Sequence, residues 1–226
     1  MRVRWYGQSA FRLLSEGGTV FIDPFHLPGP EMAARGFRFE YPAIAEKGSD
    51  LLLITHEHFD HNAAEAVGPS RAVIRSTAGV LEAPVGKVTA IASEHDAAAG
   101  TQRGPNTIFV FSLDGLRVCH FGDFGQAALR PEQRSAIGQV DLLMLPVGGG
   151  PTIGADAAFE IVELLRPRWA VPMHYRTPAI GFLEPAEAFL ARFASVERCP
   201  TSEFDTAGLP ARGEPMAVVP AAPARG

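Results

Sequence analysis

The chain has 226 residues and a formal charge of −5, and 46% of it is hydrophobic. That is long enough for one large domain with a substantial core, and too apolar for wholesale disorder. Lys and Arg are scattered, which argues against a nucleic-acid partner gripped mainly through phosphates, and no apolar run is long enough to span a membrane.

The first residues, "MRVRWYGQSAF", have no apolar h-region, so no signal peptide is expected. "VRWY", "AFRLL" and "TVFID" read as short strands, with "SEGG" turning between the last two. Residues 24–48 are long for a loop and are a candidate lid or rim, along which Phe37, Phe39 and Tyr41 alternate. "DLLLIT" (50–55) is too short for a helix and reads as a buried strand. "NAAEAVG" predicts a short helix closed by Gly68, and "AVIRS" and "VTAIAS" two further strands. "NTIFVFSLDGLRVCHF" (106–121) predicts a hairpin around Asp114-Gly115.

"DLLMLPV" (141–147) predicts another buried strand, followed by "GGGP" as a flexible or close-packed turn. That turn lacks the Lys and Ser/Thr of a P-loop. "ADAAFEIVELLRP" has helical spacing and ends at Pro167, and "EPAEAFLARFA" predicts a last helix. "WAVPMHY" reads as a strand whose prolines suggest an end near the surface, and "MAVVP" as a closing strand. The pattern predicts an α+β fold in which mixed sheets form a sandwich with helices outside. One domain over 1–219 with a disordered tail over 220–226 is expected. Cys119 and Cys199 share no CxxC motif, so a reduced, cytoplasmic protein is expected.

The chemistry concentrates in "LITHEHFDHNAAE" (53–65), which holds three of the seven histidines. In an extended segment His56, His58 and Asp60 share a face, and His61 turns aside as the helix begins. Two diverging pairs result, His56 with His58 and Asp60 with His61, which two adjacent metals could share. The spacing is not that of the HExxH helix. Each pair needs completing, because catalytic zinc takes about three protein ligands plus an open position. His95 in "ASEHDAA", Asp123 in "CHFGDFG" and His174 in "VPMHYRT" all follow strand candidates, where loops build sites.

The order "THEHFDH", isolated His, "GD", late "MHY" resembles the metallo-β-lactamase-fold hydrolases. Within them it is most similar to the small metal-dependent hydrolases related to the L-ascorbate-6-phosphate lactonase group. "WYGQSAFRL", "VFIDP", "NTIFVFSLDGLRVCHFGDFG" and "LPVGGGPTIGADAAFEIVELLRPRWAVPMHY" extend the likeness over roughly residues 3–180. The resemblance implies a four-layer αββα sandwich with the site at one edge of the paired sheets. It implies a first metal on His56, His58 and His95, and a second on Asp60, His61 and His174, with Asp123 bridging. It further implies two divalent cations, with zinc expected and manganese or iron able to take the same ligands. Many relatives have His where this chain has Gln8, and the third ligand lies in "SEHD" rather than the "TPGHTPG" loop of glyoxalase-like members.

The expected activity is hydrolysis of a small-molecule ester or lactone by a metal-bridging hydroxide, with Asp60 orienting the nucleophile and relaying a proton. A phosphodiesterase or nuclease of the same fold, or an iron-bound redox protein, is the alternative. Asp23 can fix a ligand's tautomer or merely form a turn, and Asp96 is equally open. His120 can be packed, substrate-facing or a support for a ligand, while His26 reads as a loop residue near the mouth. Tyr175 and Arg176 can contact substrate or be an exposed pair. A small-molecule substrate is expected, with no nucleic-acid or membrane partner, and a homo-oligomer is left open.

Overall fold

The computed structural model describes residues 1–34, 40–210 and 213–224. Phe37 and Phe39, two of the alternating aromatics, lie outside the described residues. The strands in chain order are β1 (Arg2–Gly7), β2 (Ala10–Ser15), β3 (Gly18–Ile22), β4 (Ser49–Ile54), β5 (Ser70–Arg75), β6 (Gly79–Ala83) and β7 (Gly86–Glu94). They continue as β8 (Pro105–Leu113), β9 (Leu116–His120), β10 (Leu142–Pro146), β11 (Trp169–Met173), β12 (Val196–Arg198), β13 (Glu203–Asp205) and β14 (Met216–Val219). The helices are α1 (Pro30–Ala34), α2 (Pro131–Ile137), α3 (Ala155–Leu165) and α4 (Glu187–Leu190).

These strands make two mixed sheets. One is six-stranded in the order β13-β1-β2-β3-β4-β5, the other eight-stranded in the order β12-β14-β11-β10-β9-β8-β7-β6. Each joins an antiparallel half to a parallel half: β3, β4 and β5 run parallel, as do β9, β10, β11 and β14. The core between the sheets takes Val3, Trp5, Phe11, Leu13, Val20 and Ile22 from one sheet against residues such as Phe109, Phe111, Val118 and Met144 of the other. Period-2 alternation explains the sorting, since Leu51 and Leu53 of β4 enter this core while Leu52 and Ile54 face outward. The outward pair is covered too, by Phe25, Tyr41, Ile44, Ile180 and Leu183. A strand buried on both faces needs a continuous apolar run, which "LLLI" supplies. Each such side chain contributes about 1.5–3 kcal/mol on burial.

Several elements depart from the sequence expectations. "NAAEAVG" forms only a 3-10 turn, Ala64–Ala66. The last helix is limited to Glu187–Leu190, because the chain then tightens into i→i−3 bonds, Arg192 N to Phe189 O and Phe193 N to Leu190 O. That tightening brings Phe193 edge-on to Phe159 and Phe189. β11 does not end near the surface. It is buried throughout between β10 and β14, with Pro172 opposite Leu145 near the strand's end. Part of the tail is held, since Pro220 is buried and the Ala221 amide donates to Thr201 O; residues 225 and 226 lie outside the described residues. α1, α2, β6, β12 and β13 were not anticipated. Tyr41 packs on the outer face of the six-stranded sheet and its hydroxyl meets Thr177 Oγ1 at 2.9 Å, so this part of 24–48 is a fixed wall.

Pairing register puts the functional loops at one edge. Ile22 sits opposite Leu53, Met144 opposite His120, and Met173 opposite Pro146. Residues 23, 55, 121, 147 and 174, each the first past the end of its strand, therefore leave the sheets together. No helix among the described residues is long and apolar enough to cross a membrane. Both cysteines are free and buried, and burial pushes the Cys119 thiol up.

Candidate metal centre

Asp123 is the hub of the edge. Its Oδ2 lies 3.2 Å from His61 Nε2, 3.2 Å from His95 Nε2 and 3.4 Å from His174 Nε2. On the His56 side, His56 Nε2 and His58 Nδ1 are 3.0 Å apart, and both converge with His95. Three groups bring their ligand atoms within 4.8 Å of one another: His56 with His58 and His95; His56 with His61 and Asp123; Asp60 with His61 and His174. All seven sequence candidates for metal ligation are thus gathered in one cluster. His56, His61, His95, Asp123 and His174 are buried, while His58 and Asp60 are part-exposed and form the open side.

The imidazoles are held from behind. Asp23, fully buried, accepts from the Thr55 amide (2.8 Å), the Thr55 hydroxyl (2.7 Å) and His61 Nδ1–H (2.9 Å). The Thr55 oxygen, its proton given to Asp23, accepts from His56 Nδ1–H at 3.0 Å. One carboxylate therefore fixes Nδ1–H of His61 directly and of His56 through Thr55, turning both Nε2 atoms inward. His95 Nδ1–H donates to Pro151 O at 3.0 Å, so the "GGGPT" turn is a support for His95. Asn106 accepts from the Asp123 amide through Oδ1 and donates to Ser93 Oγ and Phe121 O, fixing the Gly122–Asp123 turn.

Backbone strain gathers here. Gln8 (φ 48°), Asp23 (φ 48°) and His174 (φ 50°) all occupy the left-handed region, which costs a non-glycine residue about 1–2 kcal/mol. Gly122 has φ +56°, and a Cβ there would meet Thr55 Cβ at 2.7 Å as well as Asn106 Oδ1. Gly122→Ala is accordingly expected to cost about 1–3 kcal/mol, read as a lowered denaturation midpoint, and to weaken metal uptake because Asp123 moves with its neighbour.

The charges suit a metal site. Burial and neighbouring His61 push His56 well below its usual range, and burial and His95 lower His58. Burial also lowers His174 despite Asp123. For His61 burial acts against the charge, but Asp123 and Asp23 outweigh it and hold the imidazolium well above the ordinary range. Burial likewise opposes the Asp123 anion, yet His174 and His61 keep it well below the usual carboxylate range. His61 Nε2 is buried without a hydrogen bond among the described residues. A buried nitrogen with no aligned hydrogen bond, inward-facing Nε2 atoms and buried carboxylates are a donor set that fits divalent zinc, manganese or iron.

The remaining candidates divide. His120 donates from Nε2 to Ser9 O (2.9 Å) and accepts the Gly122 amide on Nδ1 (3.1 Å), so both nitrogens are engaged with backbone; burial lowers its pKa. Tyr175 stacks on Trp5 at 5.4 Å and is core, and Arg176 is exposed with Nε donating to Leu183 O. Neither reaches the cluster through the contacts that hold it. Asp96 collects the amides of Ala98, Gly100, Gln102 and Arg103, and organises its own loop. His26 is 45% exposed beside Glu65. Sequence reasoning missed Ser9, whose hydroxyl donates to Asp123 Oδ1 at 3.1 Å, and also Thr55 and Asn106.

A family profile described as the beta-lactamase superfamily domain matches residues 2–174. A UPF0173 protein of Pyrococcus abyssi is 31% identical over 217 residues, covering 85% of this chain and 91% of that protein. A UPF0173 metal-dependent hydrolase of Thermus thermophilus is 34% identical over 218 residues, with the same coverages of 85% and 91%. Among solved structures, a candidate Zn-dependent hydrolase of the metallo-β-lactamase superfamily from Thermotoga maritima superposes with a TM-score of 0.74 at 30% identity, covering 96% of this chain and 97% of that one.

Proposed function

The chain belongs to the metallo-β-lactamase superfamily, within the UPF0173 family of metal-dependent hydrolases, and from that premise we propose that residues 1–219 are one hydrolase domain cleaving a small-molecule ester or lactone with two divalent cations. In this reading His56, His58 and His95 hold the first ion, Asp60, His61 and His174 the second, and Asp123 serves both. Zinc is the first candidate, with manganese and iron next. The observation that carries the reading is Asp123 Oδ2, one buried oxygen within 3.2–3.4 Å of imidazole nitrogens from both triads.

When bound, such a pair supplies hydroxide near neutral pH and polarises the oxygen that gains charge. The chain's own residues do the rest. Asp23, Thr55 and the Pro151 carbonyl lock the imidazoles, so little reorganises when substrate enters. Asp60, with a side chain 18% exposed, can orient the attacking water and pass its proton to the leaving group. Substrate approaches over His58 and Asp60, the open side.

The test joins metal analysis to a panel of lactones, p-nitrophenyl esters and bis-p-nitrophenyl phosphate. Two ions per chain and ester or lactone turnover are expected, with both metal binding and turnover lost in His58→Ala. Phosphodiester turnover alone would move the assignment to a phosphodiesterase, and a visible iron band without hydrolysis to redox chemistry. Chelation should also lower the melting temperature. At a hundredfold excess of metal over Kd, ligation adds about 2.7 kcal/mol, or about 5–10 °C for a chain of this size.

A further inference from the structure

The turn between β1 and β2 reaches the same edge, because Phe11 near the start of β2 sits opposite Ile22 at the end of β3. It is tightly specified. Gly7 has φ +107°, and a Cβ there would strike the ring of the buried Tyr41. Gln8 follows in the left-handed region, and its carbonyl accepts both Trp5 Nε1–H (3.0 Å) and the His174 amide (3.3 Å). The Ser9 carbonyl accepts His120 Nε2–H. With their backbones held, the Gln8 and Ser9 side chains are 1% and 0% exposed.

Each of these side chains donates to a different carboxylate. Ser9 Oγ gives its proton to Asp123 Oδ1 at 3.1 Å, on the side away from the three imidazoles that face Oδ2. Gln8 Nε2 donates to Asp60 Oδ2 at 3.3 Å. The carboxylate dictates this amide orientation, since a carbonyl oxygen turned toward it would be repelled. Gln8 Oε1 is thereby left buried and without a hydrogen-bond partner among the described residues. A buried acceptor without a donor is costly, and a site that takes in water supplies one.

We propose that Gln8 and Ser9 are positioning residues of the metal centre, Ser9 tying up Oδ1 of Asp123 so that it ligates through Oδ2 and Gln8 fixing the orientation of Asp60 through the oxygen that faces His61, with Gln8 Oε1 left to accept a hydrogen bond from the hydrolytic water. This rests on the reading of Asp60 and Asp123 as ligands. The two residues act on different parts of the centre. Ser9 acts through Asp123, which both triads share, and Gln8 acts only through Asp60.

The asymmetry makes the test specific. The full-length protein is stripped of metal and titrated with zinc against a chromophoric chelator, as wild type, Ser9→Ala and Gln8→Met. Ser9→Ala should weaken both zinc-binding events by roughly 10–100-fold, and Gln8→Met only one of them by roughly tenfold. Cobalt substitution gives a second readout: in Ser9→Ala the visible absorption should weaken as Asp123 becomes free to chelate and coordination number rises. Melting of the metal-free variants separates positioning from folding, and it should match metal-free wild type. Wild-type zinc affinity and an unchanged cobalt spectrum in both variants would overturn the proposal while leaving the hydrolase reading intact. So would equal weakening of both events in both variants alongside lowered metal-free melting. Wild type that takes up no metal would remove the proposed function itself, and this inference with it.

Discussion

Replacing Asp123 with asparagine is expected to leave a folded protein that neither retains its metals nor turns over substrate. Asparagine keeps the shape, so the Asn106 bond to the backbone amide and the Gly122 turn survive. What goes is the charge. Burial works against the Asp123 anion, and the histidines around it, His174 and His61 first, hold it ionised. In the two-cation reading proposed above, a neutral amide facing His61, His95 and His174 would neither attract the cations nor serve both. Loss of the Lewis acid forfeits several kcal/mol of transition-state stabilisation, on the order of a thousandfold in rate. Metal content by mass spectrometry and kcat/KM on an ester or lactone check this together. A variant carrying two ions and turning over at near wild-type speed would displace Asp123 from the centre.

How much of this centre the sequence exposes depends on what kind of group does the holding. Histidines and aspartates at strand ends are conspicuous: "THEHFDH" follows an apolar run, and His95, Asp123 and His174 each follow a strand, but it is the resemblance to the metallo-β-lactamase-fold hydrolases that joins these three to the first four. The supports leave weaker traces. Pro151 holds His95 through a backbone carbonyl, which any residue would provide. Ser9 matters because a left-handed turn delivers it under Asp123, more than a hundred residues away in sequence, and no local pattern encodes that meeting. Asn106 did carry a signal. It is a buried amide opening a strand of apolar residues, and such a group must be satisfied by something.

The fold shows the same division. Central β4 and β10 are legible because burial on both faces demands an unbroken apolar run. The hairpin is legible because Asp114 and Gly115 take the left-handed conformations its turn needs. Edge strands β6, β12 and β13, of five residues and fewer, carry little pattern, since only one side of each is paired. α2 was legible in principle, with Pro131 in its first turn and Gly138 past its end. Seven residues gave too short a window for helical spacing to stand out.

Asp23→Ala is expected to damage both stability and metal affinity, because one carboxylate supports both halves of the centre. Its removal strands the Thr55 amide, the Thr55 hydroxyl and His61 Nδ1–H in a fully buried site. Losing one partner of a buried charged pair costs about 3–5 kcal/mol, so a fall of about 6–20 °C in melting temperature should follow for a chain of this length. Metal affinity should fall by roughly 10–100-fold as His61 loses its fixed tautomer. His56 should loosen with it, because the Thr55 hydroxyl is no longer oriented to accept its Nδ1–H. Asp23→Asn separates the two effects. An amide oxygen can still accept from Thr55, which recovers much of the stability, but without the charge it neither polarises nor orients the His61 ring as firmly. Calorimetry and zinc competition on the two variants give the comparison. Equal zinc affinity in wild type and Asp23→Asn would confine Asp23 to a structural role and leave His61 to be oriented by Asp123 alone.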